Sequence, residues 1–332
     1  MPAVTDTESH TVLDTVTDRF PMAITPQILK GIQQEGPGGP LAKQFLPDLK
    51  ELMIDSDELS DPVGDEQYTV QKGVVHRYPD RCLLKPVSVC AVYCRFCFRR
   101  ETLGGRKKGL TPTELEAAFQ YISEHKEIWE VIITGGDPFI LKPKKIAEIL
   151  SNLENIPHVE VIRIHTRIPF VDPGRMTEEI FKALNLKKTL YIALHANHPS
   201  EFTDEAKTVI AKLSNQGIPL MSQTVLLKGI NDNINTLSEL MRTFVKHKIK
   251  PYYLHHLDLV QGTSHFRTSV EKGIELMKAL RGHFSGLCQP TYVIDLPGGY
   301  GKVPVSYSYI KGDKIEDYQG KCHPYPHLTV KN

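Results

Sequence analysis

Three cysteines fall close together in Cys90-Ala-Val-Tyr-Cys94-Arg-Phe-Cys97, at spacings of four and three. Three thiolates on one tight loop can hold three corners of a cubane iron–sulfur cluster and leave the fourth iron without a protein ligand. An iron left open takes a further, substrate-like ligand. Structural zinc would want a fourth protein ligand, commonly from a second closely spaced pair, but Cys82, Cys288 and Cys322 stand alone in the sequence. A catalytic thiol needs one cysteine rather than three. A disulfide framework does not suit 332 residues whose start, with Asp6, Glu8, Asp14 and Asp18, lacks the basic and apolar stretches of an export signal. The loop is therefore expected to be a metal centre.

A loop of this kind needs a rigid element to carry it. Residues 82–89, directly before the cysteines, form an apolar run, and similar runs at 131–134, 159–165, 190–195, 220–227 and 252–258 read as strands. Helical periodicity fills the intervals at 112–125, 144–153, 177–186, 204–216 and 234–246. Strand and helix in alternation predict an α/β fold with a parallel sheet. Polar residues gather just after the strands, in Gly135-Gly136-Asp137-Pro138, His165-Thr166-Arg167, His195, Gln223 and Asp258. The carboxyl ends of barrel strands form the mouth where chemistry is assembled, which favours a partial (βα)6 barrel of the TIM type over an open sheet. Residues 1–73 read as a helical lead-in, with helices at 25–35 and 41–53 and an acidic loop at 55–65. The barrel is expected over 74–290, and a C-terminal segment over 291–332 begins with a strand at 291–294.

Forty Lys+Arg against 39 Asp+Glu leave a formal charge of +1, too even for a surface that grips nucleic acid along many phosphates. No segment approaches the ~18 apolar residues of a helical membrane span. A cytoplasmic protein with neither nucleic-acid nor membrane partner is expected.

The Cys-x-x-x-Cys-x-x-Cys loop after the first barrel strand resembles that of the radical S-adenosylmethionine (SAM) superfamily. In that superfamily the open iron of a [4Fe–4S] cluster chelates S-adenosylmethionine. Gly135-Gly136-Asp137-Pro138, a plain turn if considered alone, fits the superfamily's glycine-rich motif that meets the methionine amino group. From about residue 67 to 305 the resemblance narrows to the lysine 2,3-aminomutases, carried by His76-Arg77-Tyr78-Pro79-Asp80-Arg81, Cys97-Phe98-Arg99-Arg100, His165-Thr166-Arg167-Ile168-Pro169, Gln223-Thr224-Val225-Leu226-Leu227-Lys228-Gly229, His265-Phe266-Arg267 and Pro297-Gly298-Gly299-Tyr300-Gly301-Lys302.

The resemblance implies Cys90, Cys94 and Cys97 as cluster ligands, and Lys302 as the catalytic lysine that carries pyridoxal 5′-phosphate (PLP). Arg77 and Arg81 match the family's phosphate-binding arginines, and guanidinium forks suit phosphate oxygens. A nucleotide-binding P-loop is the competing reading of the glycines and Lys302, but it fails on Leu296 and Val303. The glycines are expected to let backbone pass close to the cofactor. Arg99 matches the residue that binds the substrate carboxylate, Asp258 and Asp295 the two acids that hold the ε-ammonium of lysine, and His195 and Gln223 residues near S-adenosylmethionine. The implied activity is an isomerase that interconverts L-lysine and β-lysine, with an electron donor such as flavodoxin or ferredoxin. Long clostridial-type members carry a C-terminal cysteine cluster that binds zinc between subunits. Here the sequence stops at Asn332, Cys322 has no neighbouring cysteine, and Phe96 stands where the long enzymes often have His. The nearer likeness is to the short, zinc-free enzymes that serve elongation factor P modification, and a homodimer is expected in place of a zinc-bridged tetramer. The alternatives are an aminomutase of glutamate or arginine, a radical SAM enzyme without PLP, and a zinc-binding interaction module.

Overall fold

A computed structural model describes residues 6–104 and 109–326. The ends of the two outer expected segments, 1–5 and 327–332, lie outside the described residues. Helices α1 (Asp6–Arg19), α2 (Pro26–Glu35) and α3 (Pro40–Phe45) lead into a hairpin of β1 (Thr69–Gln71) and β2 (Val74–Tyr78). Strands and helices then alternate: β3 (Arg81–Val87), α4 (Pro112–Glu124), β4 (Glu130–Gly135), α5 (Pro143–Glu154), β5 (Val161–Thr166), the short α6 (Ile168–Val171) and α7 (Glu178–Ala183), β6 (Thr189–His195), α8 (Asp204–Asn215), β7 (Leu220–Val225), α9 (Ile234–Lys246), β8 (Ile249–His255), α10 (Val270–Leu280) and β9 (Thr291–Leu296). β10 (Gly301–Pro304) returns antiparallel along β9. β11 (Ile310–Lys311), β12 (Lys314–Glu316) and β13 (Cys322–Pro324) make a separate small sheet.

β1 to β10 form one sheet in chain order, parallel from β3 through β9 and antiparallel at both ends. The expected boundaries at 73/74 and 290/291 fall inside this sheet. Local chemistry starts the helices: Thr111 and Glu114 form a reciprocal cap on α4, and Thr203, Asn233 and Ser269 cap α8, α9 and α10.

Side chains alternate across a strand, and here the alternation separates two kinds of chemistry. Leu84, Val131, Ile133, Ile162, Ile164, Ile192, Leu194 and Leu220 are buried in the apolar core with Leu115, Ile122, Leu150, Leu153 and Ile210 of the surrounding helices. The opposite face carries Lys85, Thr134, Arg163, His165, Tyr191, His195, Gln223, His255 and Asp295.

The sheet is rolled around that polar face. Tyr78 of β2 and Lys302 of β10 stand eight places apart in the strand order, which in a flat sheet would be roughly 38 Å at ~4.8 Å per strand. Yet the Tyr78 hydroxyl accepts the Lys302 backbone N–H at 3.0 Å. The Gln67 side chain likewise donates to the Gly298 carbonyl at 2.6 Å. The two ends therefore meet along a seam made by side chains rather than by a β-ladder, giving the partial barrel that the strand–helix alternation predicts.

Some elements differ from expectation. The helix expected at 41–53 is cut at Leu46 by Pro47, which has no N–H to continue it, and resumes as a short 3-10 turn at Leu49–Leu52. The 177–186 helix is only six residues long. α10 is unexpected, because Gly273 sits in its middle. A Cβ there would lie 2.2 Å from the Tyr292 ring, so the gap in the side-chain pattern is what lets α10 pack on β9.

Candidate active site

Tyr78 gathers three cations at the seam. Arg81 lies over its ring at 3.9 Å and Arg77 at 5.3 Å, while Lys302 reaches its hydroxyl through the backbone. The Lys302 ammonium donates to Asp295 Oδ2, and Arg77 pairs with Asp295 Oδ1 at 3.4 Å. Arg77 also donates to the Val63 carbonyl at 2.7 Å, and Arg81 to Asp80 at 2.6 Å. A phosphate-bearing aldehyde fits this set, with one amine to receive the aldehyde and two guanidinium groups beside it for the phosphate. Two of the glycines also have a duty within the chain. A Cβ on Gly299 would lie 2.4 Å from Gln67 Nε2, and one on Gly301 would lie 2.7 Å from the Tyr78 hydroxyl. Gly299 and Gly301 thus let the backbone close on the chain's own seam.

Asp258, just past β8, shares this space. Burial, and then the neighbouring Asp295, push its carboxyl up to about 7, while Lys302, Arg99 and Arg77 pull the other way. Arg99 donates through Nε and Nη2 to Asp65 Oδ2, at 3.2 and 3.1 Å. On the inner face His195 and Gln223 stand side by side in the β6–β7 register. His165 lies 5.5 Å from His195, ring to ring. Burial keeps His165 and His255 well below the usual histidine range and lowers His195 to about 3, so all three are neutral.

The cysteine loop leaves β3 and is clamped from the N-terminal segment. Glu51, with no exposed side-chain surface, accepts from Arg95 and Arg100 on either side of Cys97. Arg95 also donates to the carbonyls of Phe20 and Pro21. Burial raises all three thiols, Cys97 to about 11, and neighbouring thiols add to the rise at Cys90 and Cys97. Arg167 donates to Cys94 Sγ at 3.2 Å and is held by Glu201 and Gln44. Among the described residues no three His, Cys, Asp or Glu side chains have the geometry of a single-ion site. A cubane's separate irons spread its sulfurs wider, and three half-buried thiols, one of them facing a guanidinium, suit such an anionic cluster.

Gly135 and Gly136 are required by contact as well as conformation. Gly135 has φ 102°, and a Cβ on Gly136 would lie 2.2 Å from the Val89 carbonyl oxygen, so the β4 exit docks directly on the entry to the cysteine loop. The Asp137 carboxylate is used inside the protein, accepting from Phe139 N, Thr166 Oγ1, Arg167 N and Ile168 N. Any ligand here meets the backbone of the turn first.

A family model for the radical SAM superfamily matches residues 84–242, and one described as lysine-2,3-aminomutase matches residues 277–317. An L-lysine 2,3-aminomutase of Acetoanaerobium sticklandii is 41% identical, over 88% of this chain and 71% of that protein. One of Methanococcus maripaludis is 40% identical, over 92% and 71%. The chain belongs to the lysine 2,3-aminomutase family. A glutamate 2,3-aminomutase of Clostridioides difficile is also 39% identical, over 89% of this chain and 70% of that protein, so overall identity does not select the amino acid. As a radical SAM member of the lysine 2,3-aminomutase family the protein is an isomerase, and membership implies a [4Fe–4S] cluster, S-adenosylmethionine and PLP as its cofactors. No helix among the described residues is long and apolar enough to cross a membrane.

Asp65, Lys85, Glu51 and His255 carry no motif that marks them as parts of this site, and His165 is marked only by its place at the end of a strand and within a quoted motif. Asp65 had no signal beyond its place at the end of an acidic loop.

Proposed function

We propose that the protein interconverts L-lysine and β-lysine by 2,3-amino migration, with PLP on Lys302 and S-adenosylmethionine at the open iron of a cluster held by Cys90, Cys94 and Cys97. When bound, these groups supply radical initiation and a conjugated system that delocalises the unpaired electron. The chain's own residues bind, orient and exclude water. Arg77 and Arg81 take the cofactor's phosphate. The turn at Gly135, Gly136 and Asp137, together with His195 and Gln223, receives S-adenosylmethionine. Arg99 takes the substrate carboxylate, and Asp258 with Asp295 takes the ε-ammonium.

The observation that carries the choice of lysine is the close pair Asp258 and Asp295. Asp295 works against the ionisation of Asp258, and a site that sets two acids side by side accepts a cation, whereas a glutamate side chain would add a third negative charge. Anaerobic incubation of reconstituted protein with dithionite, S-adenosylmethionine and either lysine or glutamate tests this by product chromatography. β-Lysine is the expected product, and Asp258→Asn and Asp295→Asn are expected to lose it. Turnover of glutamate in preference to lysine would overturn the assignment. A Lys302→Ala protein that kept its turnover would instead overturn PLP dependence.

The same reading takes the electron from a flavodoxin or ferredoxin and places a homodimer in the cytoplasm, where low potentials suit such a cluster. It makes elongation factor P modification the consumer of the product. The outer segments 1–73 and 291–332 then serve the barrel over 74–290 by clamping the cluster loop and supplying Lys302.

A further inference from the structure

Two charged residues beside the barrel mouth, Asp65 and Lys85, are left over when these roles are assigned. Asp65 is buried, and its Oδ2 receives Arg99 Nε and Nη2 and, at 3.4 Å, the ammonium of Lys85 from the inner face of β3. Its Oδ1 is buried with no hydrogen-bond partner. Asp65, Lys85 and Arg99 line one cavity of about 230 Å³, whose wall also carries Asp61, Glu66 and Lys72. Although burial works against it, the two cations hold the Asp65 carboxyl below its usual range, so the cluster is two positive charges around one negative.

Arg99 and Lys85 are thus brought to one carboxylate with donors to spare, and those donors suit a second carboxylate in the same cavity. The geometry shows where it would go. Asp65 occupies the Nε–Nη2 edge of Arg99, while Nη1 is free of it, and Lys85 has two further protons. Resting on the reading of Arg99 given above, we propose that Lys85 is a second cation for the substrate's α-carboxylate and that Asp65 is a positioning residue, fixing both cations so that their remaining donors converge on it. The substrate would then be measured at both ends, by two acids on its ammonium and two bases on its carboxylate.

The test compares lysine with 1,5-diaminopentane, which keeps both amines and lacks the carboxylate. Dissociation constants come from titrating the PLP-loaded protein while following the absorbance of the pyridoxal chromophore, which needs no cluster turnover. In Lys85→Met the preference for lysine over the diamine should fall about tenfold, the scale of one charged hydrogen bond, with the diamine constant unchanged. Lys85→Arg should restore the preference. Asp65→Asn should reduce it by a smaller factor. An unchanged preference in Lys85→Met, or equal weakening of both ligands, overturns the proposal. Arg99→Lys tests the reading beneath it separately, since an unchanged preference there would remove Arg99 from the carboxylate whatever Lys85 does. Circular dichroism of each variant identifies any that misfold, and for Lys85→Met the Arg variant then decides, because loss of preference in a folded Lys85→Arg also overturns the proposal.

Discussion

Desolvation and the neighbouring Asp295 push the half-buried Asp258 carboxyl up to about 7, so it stores a proton near neutrality. An ε-ammonium placed between the two acids favours the ionised form, so binding of lysine must release that proton below about pH 7. The apparent dissociation constant of lysine should rise as pH falls from 8 to 6, with a slope approaching tenfold per unit. Asp258→Asn should bind more weakly and lose that part of the pH dependence. Subtracting the variant's profile from the wild-type profile, by chromophore titration, isolates the effect. At this scale the sequence displayed residue types well and their neighbours poorly. The cysteines, Lys302 and the two acids could be picked out by motif. That Arg99 is gripped by a residue 34 positions away depends on a loop path that no local pattern encodes.

Among the elements, the cysteine loop is the one whose shape is bought from outside. Removing one partner of a buried ion pair typically costs about 3–5 kcal/mol, and Glu51 serves two arginines. Glu51→Gln should therefore lower unfolding free energy by that order in denaturant titration and reduce iron per chain after reconstitution. Gly136→Ala should act on the same loop from the other side, since its Cβ would collide with the Val89 carbonyl. It should cut S-adenosylmethionine affinity by tenfold or more in equilibrium dialysis, with helix content retained. The strands and most helices were readable because buried parallel strands are continuous apolar runs and amphipathic helices are periodic. The helix over Ile234–Lys246 has the expected bounds. α10 escaped because its central Gly273 serves packing against Tyr292, and the lead-in helix broke where Pro47 removes a donor.

The whole molecule is a rolled sheet whose ends are held by few contacts. Gly301 has φ 91°, and a Cβ there would lie 2.7 Å from the Tyr78 hydroxyl. Gly301→Ala should part the seam and lower PLP retained after gel filtration severalfold, while far-ultraviolet circular dichroism stays close to wild type. Tyr78→Phe, which removes only the hydroxyl, should give a milder loss. The roll was legible only as a preference for a barrel, because closure depends on partners 224 residues apart. That separation also orders events during synthesis. Contacts so distant form late in folding, and the Tyr78 hydroxyl must wait for its partner until residue 302 has been translated. On the proposed assignment, the Lys302 amine reaches its chamber in the same event that shuts it, so a nascent chain would have no way to take up the aldehyde in the native pose before its architecture is finished.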